Sequence, residues 1–214
     1  MNLKNVLVKR ADKTIYLDGE NIIKVFNDNY SKEGILREAM NNAILETTGL
    51  PVPQIVEVCK ADGKWAIVQQ YVAGKTLEQL MEENPEKEDE YLNLFVDLQM
   101  KIHATKAPSM LIRLRDKMRG KITEAALDAT TRYDLHTRLE GMKRHTKICH
   151  GDFNPSNVII TEDGTAYVID WAHVTQGNAS ADVARTYLLF WLEGKEELAK
   201  KYMHLFCEKR CTIV

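Results

Sequence analysis

The sequence predicts an α+β fold in two lobes: a small antiparallel β-sheet carrying one inserted helix, then a mainly helical part. Three observations support this. Short apolar runs bounded by Gly, Pro, Asn and Asp crowd the first 72 residues. Beyond Gly74, apolar residues recur at helical spacing. Late in the chain, a polar loop rich in Asp and Asn lies between short apolar runs, inside the otherwise helical part.

Residues 3–8 and 14–17 are β-type runs, and residues 21–26 follow the turn signal Asp18-Gly19. Ser31 is placed to cap a helix reaching Thr48, where Gly49 stops it and Pro51 and Pro53 prevent its resumption. Residues 54–59 and 65–72 form a second hairpin around Ala61-Asp62-Gly63. Thr76 with Gln79 has the capping-box spacing. The acidic run from Glu82 to Glu90 contains Pro85 and reads as a solvated loop and helix start. Tyr91, Leu92, Leu94, Phe95, Leu98 and Ile102 then recur at helical spacing. Residues 109–145 read as one or two helices with a basic surface. Residues 148–160 and 165–169 read as short strands flanking a loop, and 181–192 and 196–207 as closing helices.

Composition narrows the function. The chain has 214 residues, 44% hydrophobic and 28% charged, enough for a normal globular core. A formal charge of −2 argues against nucleic-acid binding through bulk positive charge. Cys59, Cys149, Cys207 and Cys211 are scattered, with no CxxC pair, so free thiols in a reducing cytoplasm are expected. The first ten residues lack the apolar core of a signal peptide, and residues 187–192 are too few to span a bilayer. Neither a membrane nor a nucleic-acid partner is expected, and oligomeric state is left open.

The most informative stretch is His150-Gly151-Asp152-Phe153-Asn154-Pro155-Ser156-Asn157, followed by Val168-Ile169-Asp170-Trp171. An Asp, an Asn five residues later, and an Asp ending an apolar strand is the layout phosphoryl transfer needs. Asp152 is the candidate base for an attacking hydroxyl. Asn157 and Asp170 offer hard oxygen ligands for Mg²⁺ on the nucleotide phosphates. Lys24 lies in an apolar strand and needs an anionic partner if it points inward. Glu38 lies 14 residues on, within the following helix.

These residues, in this order, resemble the aminoglycoside phosphotransferase and choline kinase superfamily of small-molecule kinases, with its protein-kinase-like fold. The resemblance rests on His150-Gly151-Asp152 with Asn157, on Ile169-Asp170-Trp171, and on Ala181-Asp182-Val183-Ala184, and it covers nearly the whole chain. Protein kinases would show HRD and DFG at the first two places.

The resemblance implies a nucleotide-binding lobe over residues 1–72, hinge included, and a helical lobe over 73–214 with the catalytic loop and acceptor site. It implies a Lys24–Glu38 pair on the α- and β-phosphates, and adenine contacts from the backbone of Gln70 and Val72. It also implies ATP and Mg²⁺ as cofactors, and a hydroxyl-bearing small molecule as acceptor. Asp182 is expected to cap its helix and brace the catalytic loop. His150 is expected to stabilise that loop, and Trp171 to be either a core residue or part of the cleft mouth. The competing reading is a nucleotide-binding module without transfer. The family usually continues with further helices around the acceptor, so an open acceptor pocket is expected of a sequence ending at residue 214.

Two features qualify this reading. Ala73-Gly74-Lys75-Thr76 imitates the end of a P-loop, but position 69 is Gln where the motif requires Gly, so Gly74 reads as a turn. The region from Arg113 to Arg144 is rich in Lys and Arg, which does not favour a polycationic acceptor.

Overall fold

The computed structural model describes residues 1–211, an α+β chain. It divides into two compact units, Met1–Glu86 with Pro155–His173, and Lys87–Asn154 with Val174–Val214.

The first unit is built on an antiparallel five-stranded sheet in the order β1-β2-β3-β5-β4. Its strands are β1 (Val6–Lys9), β2 (Lys13–Asp18), β3 (Asn21–Phe26), β4 (Ile55–Ala61) and β5 (Lys64–Gln70). The β2–β3 hairpin turns through Gly19, whose φ of 62° is left-handed, and its register sets Lys13 opposite Phe26 and Ile15 opposite Lys24. Asp62 and Gly63 both have positive φ (49° and 80°), the requirement of a tight hairpin turn between β4 and β5.

Helix α1 (Lys32–Glu46) starts where expected, with the Ser31 hydroxyl accepting from Gly34 N–H at 3.0 Å. It ends before Gly49, which has φ 76°. Ile35 and Ala39 of α1 pack with Phe26 and Ile67, while Ile23, Val25, Ala61, Ala66 and Val68 form a second buried cluster.

A three-stranded sheet completes this unit: β6 (Lys75–Thr76), β8 (Val158–Ile160) and β9 (Ala166–Val168), ordered β6-β8-β9. It explains why residues 73–86 and 155–173 group with the N-terminal sheet, although the sequence suggested a division at residue 72. β6 pairs with β8, Val168 N–H donates to Pro51 O at 3.1 Å, and the Asn41 amide reaches Ala172 O at 3.4 Å. Gly74 lies at the bend just before β6, as its reading as a turn expects. A Cβ there would stand 2.3 Å from the Ile160 carbonyl oxygen, so glycine is required by close approach of two backbones. Thr76 and Gln79 form the expected capping box on α2 (Leu77–Glu83).

The second unit holds α3 (Glu88–Ala104), α4 (Leu114–Glu124), α5 (Ala129–Gly141), α6 (Ala179–Leu192) and α7 (Glu196–Cys211), with a two-stranded ribbon of β7 (Lys147–Cys149) and β10 (Thr175–Gly177). Its core is aromatic. Phe95 of α3 stacks on Phe153 at 4.3 Å between centroids, and meets Phe190 of α6 and Tyr202 of α7 at about 6 Å. Gln99 and Thr186, both buried, satisfy one another inside this core at 3.2 Å, and the Tyr202 hydroxyl donates to Gln99.

The cap of α6 is Asn178, whose side chain accepts from Ser180 N–H. Asp182 is therefore not the cap. It lies one turn into the helix, buried and turned to the catalytic loop. Among the described residues, no helix is long and apolar enough to cross a membrane.

Candidate active-site residues

In the first unit, Lys24 comes from the middle of β3 and Glu38 from the second turn of α1. Their side chains meet at 3.0 Å, both almost fully buried. Burial pulls the Lys24 amine down, but the Glu38 carboxylate, and then Asp170, more than offset this and hold it above the usual lysine value. Glu38 Oε2 is buried with no hydrogen-bond partner. A buried carboxylate oxygen without a donor is costly and marks a place where a further polar group fits.

Asn157 and Asp170 are brought together by the β8–β9 hairpin. Val158 faces Val168 in the register, and one step further Ile169 N–H donates to Asn157 O at 2.9 Å. Asp170 follows with φ 60°, an uncommon backbone for a residue other than Gly, and such strain concentrates at functional sites.

Sequence reasoning missed the cations facing Asp170. Lys13 Nζ lies 3.5 Å from Asp170 Oδ2 and 3.9 Å from Glu38 Oε1, and Arg10 Nη1 lies 3.7 Å from Asp170 Oδ2. Lys13 is as buried as Lys24 and stands over the Phe26 ring at 5.8 Å. The available signal was the hairpin register. Lys13 shares strand parity with Ile15, and Ile15 faces Lys24, so both amines project from the same face of the sheet.

Asn157 and Asp170 suit Mg²⁺, which takes one or two protein oxygens and fills its other positions with water and phosphate. Asp170 is already ion-paired with Lys13 and Arg10, so a metal there would share its carboxylate with these two cations. Gln70 N–H donates to Gln54 O at 2.8 Å, and Val72 is buried just beyond β5. Trp171 is also buried, its indole N–H donating to Val168 O at 2.8 Å. It is a core residue rather than part of a cleft mouth.

In the second unit, β7 delivers the chain into His150-Gly151-Asp152. Gly151 has φ 82°, which only glycine adopts cheaply. Asp182 accepts from His150 N–H at 3.2 Å and Gly151 N–H at 2.7 Å, while His103 Nε2 lies 2.9 Å from the same carboxylate. Burial alone would raise the Asp182 pKa. The His103 hydrogen bond and charge, and the Gly151 amide, overcome it and hold the carboxyl below its usual value.

The loop is fixed on its other side too. Asp152 N–H donates to His150 Nδ1 at 3.2 Å, the Asn154 amide donates to Asp152 O at 3.0 Å, and Thr186 Oγ1 donates to Phe153 O at 2.9 Å. His150 is fully buried, consistent with loop support. Arg185, one turn beyond Asp182 on α6, places its guanidinium 4.0 Å from Asp152 Oδ1. Cys149, at the foot of the loop, is an unreactive thiol: burial, with Asp182 nearby, pushes its pKa up to about 12.

The solved structures similar to this chain include three of known aminoglycoside kinases. One is a thermostable aminoglycoside phosphotransferase APH(4)-Ia in ternary complex with AMP-PNP and hygromycin B (TM-score 0.70, 15% identity, covering 97% of this chain and 78% of that one). Another is an aminoglycoside-3′-phosphotransferase of type VIII (TM-score 0.68, 19% identity, 96% and 86% covered). The third is the streptomycin–ATP–APH(2″)-IIa ternary complex (TM-score 0.61, 18% identity, 94% and 76% covered). At these identities the likeness is one of fold, and it is the protein-kinase-like fold that the motif order implied. No curated protein matches the sequence. The model of the APH phosphotransferase enzyme family matches residues 10–211, nearly the whole chain, and through it this chain belongs to the phosphotransferase enzyme family.

Proposed function

We propose that the protein transfers the γ-phosphoryl group of ATP to a hydroxyl group of a small molecule, with Mg²⁺ bound alongside the nucleotide. The observation that carries this reading is the buried Lys24–Glu38 pair in one unit with Asp170, whose carboxylate is faced by Lys13 and Arg10. A cluster of three cations and two carboxylates, partly withdrawn from water, is what a polyphosphate needs.

In this reading Lys24 neutralises the α- and β-phosphates, and Glu38 holds its amine in place. The carbonyl of Gln70 and the N–H of Val72 contact adenine, since the Gln70 N–H is already engaged with Gln54 O. Asn157 and Asp170 hold the metal. Held by these residues, Mg²⁺ would supply charge neutralisation for the nucleotide phosphates. Asp152 orients the acceptor hydroxyl and receives its proton as the acceptor oxygen bonds to the γ-phosphorus and the bond to the β-phosphate oxygen breaks, releasing ADP. Asp182 keeps Asp152 in position through the amides of His150 and Gly151. Functionally, residues 1–72 act as the nucleotide lobe and 73–214 as the lobe of the catalytic loop and acceptor. The four free thiols suit a cytoplasmic setting.

The test is calorimetry of ATP binding with and without Mg²⁺, followed by ³¹P NMR of a reaction with a panel of hydroxylated small molecules. Metal-dependent nucleotide binding and a new phosphoester signal are expected. Absence of binding at millimolar ATP with Mg²⁺ overturns the reading.

A further inference from the structure

In the second unit, the preceding roles leave unused a cavity of about 460 Å³ between α4, α5, the 142–146 segment, β10 and the start of α6. Its size falls in the range of small-molecule sites. Its walls carry Arg113, Arg115, Arg119, Lys143 and Arg144, with His145, against the carboxylate of Asp116 in the wall and that of Glu140 behind Arg115 and Arg119. Arg115 and Arg119 share Glu140 as their ion-pair partner, which fixes both guanidinium groups. Arg113, Lys143 and Arg144 add three exposed cations to this framework. An excess of fixed positive charge around a concave wall attracts anions and repels polycations.

The cavity adjoins the catalytic loop within the same unit. Ala181 lines it, and the next residue, Asp182, holds the amides of His150 and Gly151. Arg185 lies on the Ala181 face of α6, one turn on, about 6 Å along the helix. Its guanidinium stands 4.0 Å from Asp152. Positive charge thus continues from the cavity wall to the candidate base. Gly177, on β10, permits the close packing that shapes the cavity, because a Cβ there would stand 2.5 Å from Leu114 Cβ.

We infer that the acceptor is an anionic alcohol: a hydroxylated small molecule carrying a phosphate or carboxylate, whose anionic group is held by Arg113, Arg115, Arg119 and Arg144 while its hydroxyl reaches Asp152. This rests on the phosphotransferase reading and narrows its acceptor class. The proton of that hydroxyl passes to Asp152, the acceptor oxygen gains the γ-phosphoryl group, and ADP leaves. It sets this chain apart from the two ternary complexes above, which hold hygromycin B and streptomycin.

Binding is tested first, without nucleotide, so that failure of the kinase reading stays distinguishable. D-ribose 5-phosphate and D-glycerate are titrated calorimetrically into the full chain, beside D-ribose, glycerol, choline and kanamycin. At least one anion should bind at least about tenfold more tightly than its uncharged counterpart. The Arg113→Glu/Arg144→Glu double variant should weaken it at least about tenfold, and Arg144→Lys, which keeps the charge, should weaken it far less. The phosphate and carboxylate arms identify which anion is preferred.

With Mg²⁺ and ATP added, the bound anion should acquire a new phosphoester signal by ³¹P NMR, the first for D-glycerate and the second for D-ribose 5-phosphate. If the anion binds in this charge-dependent way but neither ATP binding nor transfer is found, the kinase reading fails while the anion site stands. The inference is overturned if no anion of the panel binds below about 10 mM, or if kanamycin or choline binds and is phosphorylated in preference. It is equally overturned if the double variant weakens ATP binding and leaves anion binding unchanged, which would make the cavity a nucleotide site.

Discussion

Lys13 Nζ lies 3.5 Å from Asp170 Oδ2, so the candidate metal ligand is already ion-paired to a buried lysine of the neighbouring β-hairpin. A cation there competes with a metal for the same carboxylate. At a few ångströms and a moderate effective dielectric that competition is on the order of 1 kcal/mol or more after screening. Lys13→Met keeps an unbranched apolar side chain and removes the charge, with its contact over Phe26. It should lower the Mg²⁺ concentration for half-maximal ATP binding by about fivefold or more. Calorimetric ATP titrations across a Mg²⁺ series provide the measurement, and an unchanged midpoint counts against the assigned competition.

Lys24 and Glu38 form a buried pair, and removing Lys24 leaves Glu38 to the more distant Lys13 at 3.9 Å. Lys24→Met should destabilise folding by about 3 kcal/mol, the lower end for a broken buried pair. The double variant Lys24→Met/Glu38→Leu should recover much of that loss, although nucleotide binding stays impaired. Urea unfolding of the two single variants and the double variant reads the coupling directly. Simple additivity would show that the pair is not energetically linked.

Asp152→Ala should leave ATP affinity nearly intact while lowering transfer by roughly 10²–10⁴-fold, the usual range for a positioned acid–base group. Asp170→Ala should instead abolish the Mg²⁺ dependence of ATP binding. Steady-state kinetics and metal titrations separate the two. Equal turnover in Asp152→Ala and wild type removes Asp152 from the role of base.

Asp182 titrates below its usual value in the folded chain, so its contribution to stability is fully present above the unfolded value, near 3.8. That contribution is lost as pH falls from there through the depressed folded value. Asp182→Asn should be less stable at neutral pH, because it cannot satisfy both loop amides and His103 as an anion does. It should also lack the corresponding part of the acid slope below about pH 4. Thermal unfolding of both proteins between pH 2.5 and 7 is the check, and parallel profiles would exclude this linkage.

Gly74→Ala should cost about 1–3 kcal/mol, the range for overpacking, because the Ile160 backbone cannot yield as a flexible side chain would. Gly194→Ala, at a site with φ 75° and no atom near the added Cβ, should cost less. Denaturant midpoints of the two variants compare backbone crowding with backbone strain.

Much of this architecture was legible in the residues. The cap at Ser31, the capping box of Thr76 and Gln79, and strand β3 lie where the sequence placed them, because each depends on chemistry local to a few positions. That Lys24 needs an anionic partner was legible because a lysine inside an apolar strand has few ways to be satisfied, and the family resemblance pointed to Glu38. What escaped was non-local. Lys13 stood in a polar turn sequence, and only the hairpin register shows that it enters the same face as Lys24. Strand β10 is three residues long and carries no alternation, so nothing in Thr175-Gln176-Gly177 marks it before β7 is there to pair with it. Asp182 looked like a cap because it is acidic and near a helix start, but Asn178 begins the helix four positions earlier.

Helix α6 assigns a separate task to nearly every residue of one short stretch. Ala181 walls the basic cavity, Asp182 holds the loop amides, Arg185 stands by Asp152, and Thr186 anchors Phe153. Each residue of an α-helix is rotated about 100° from the last. Losing a single residue between Val174 and Asn178 would therefore turn all four groups away together, whereas an exchange of side chain disturbs one at a time. The short path from β10 into α6 is consequently where this chain should tolerate changes of identity far better than changes of length. Natural variation in length is expected instead at the Gly194 turn that leaves the helix.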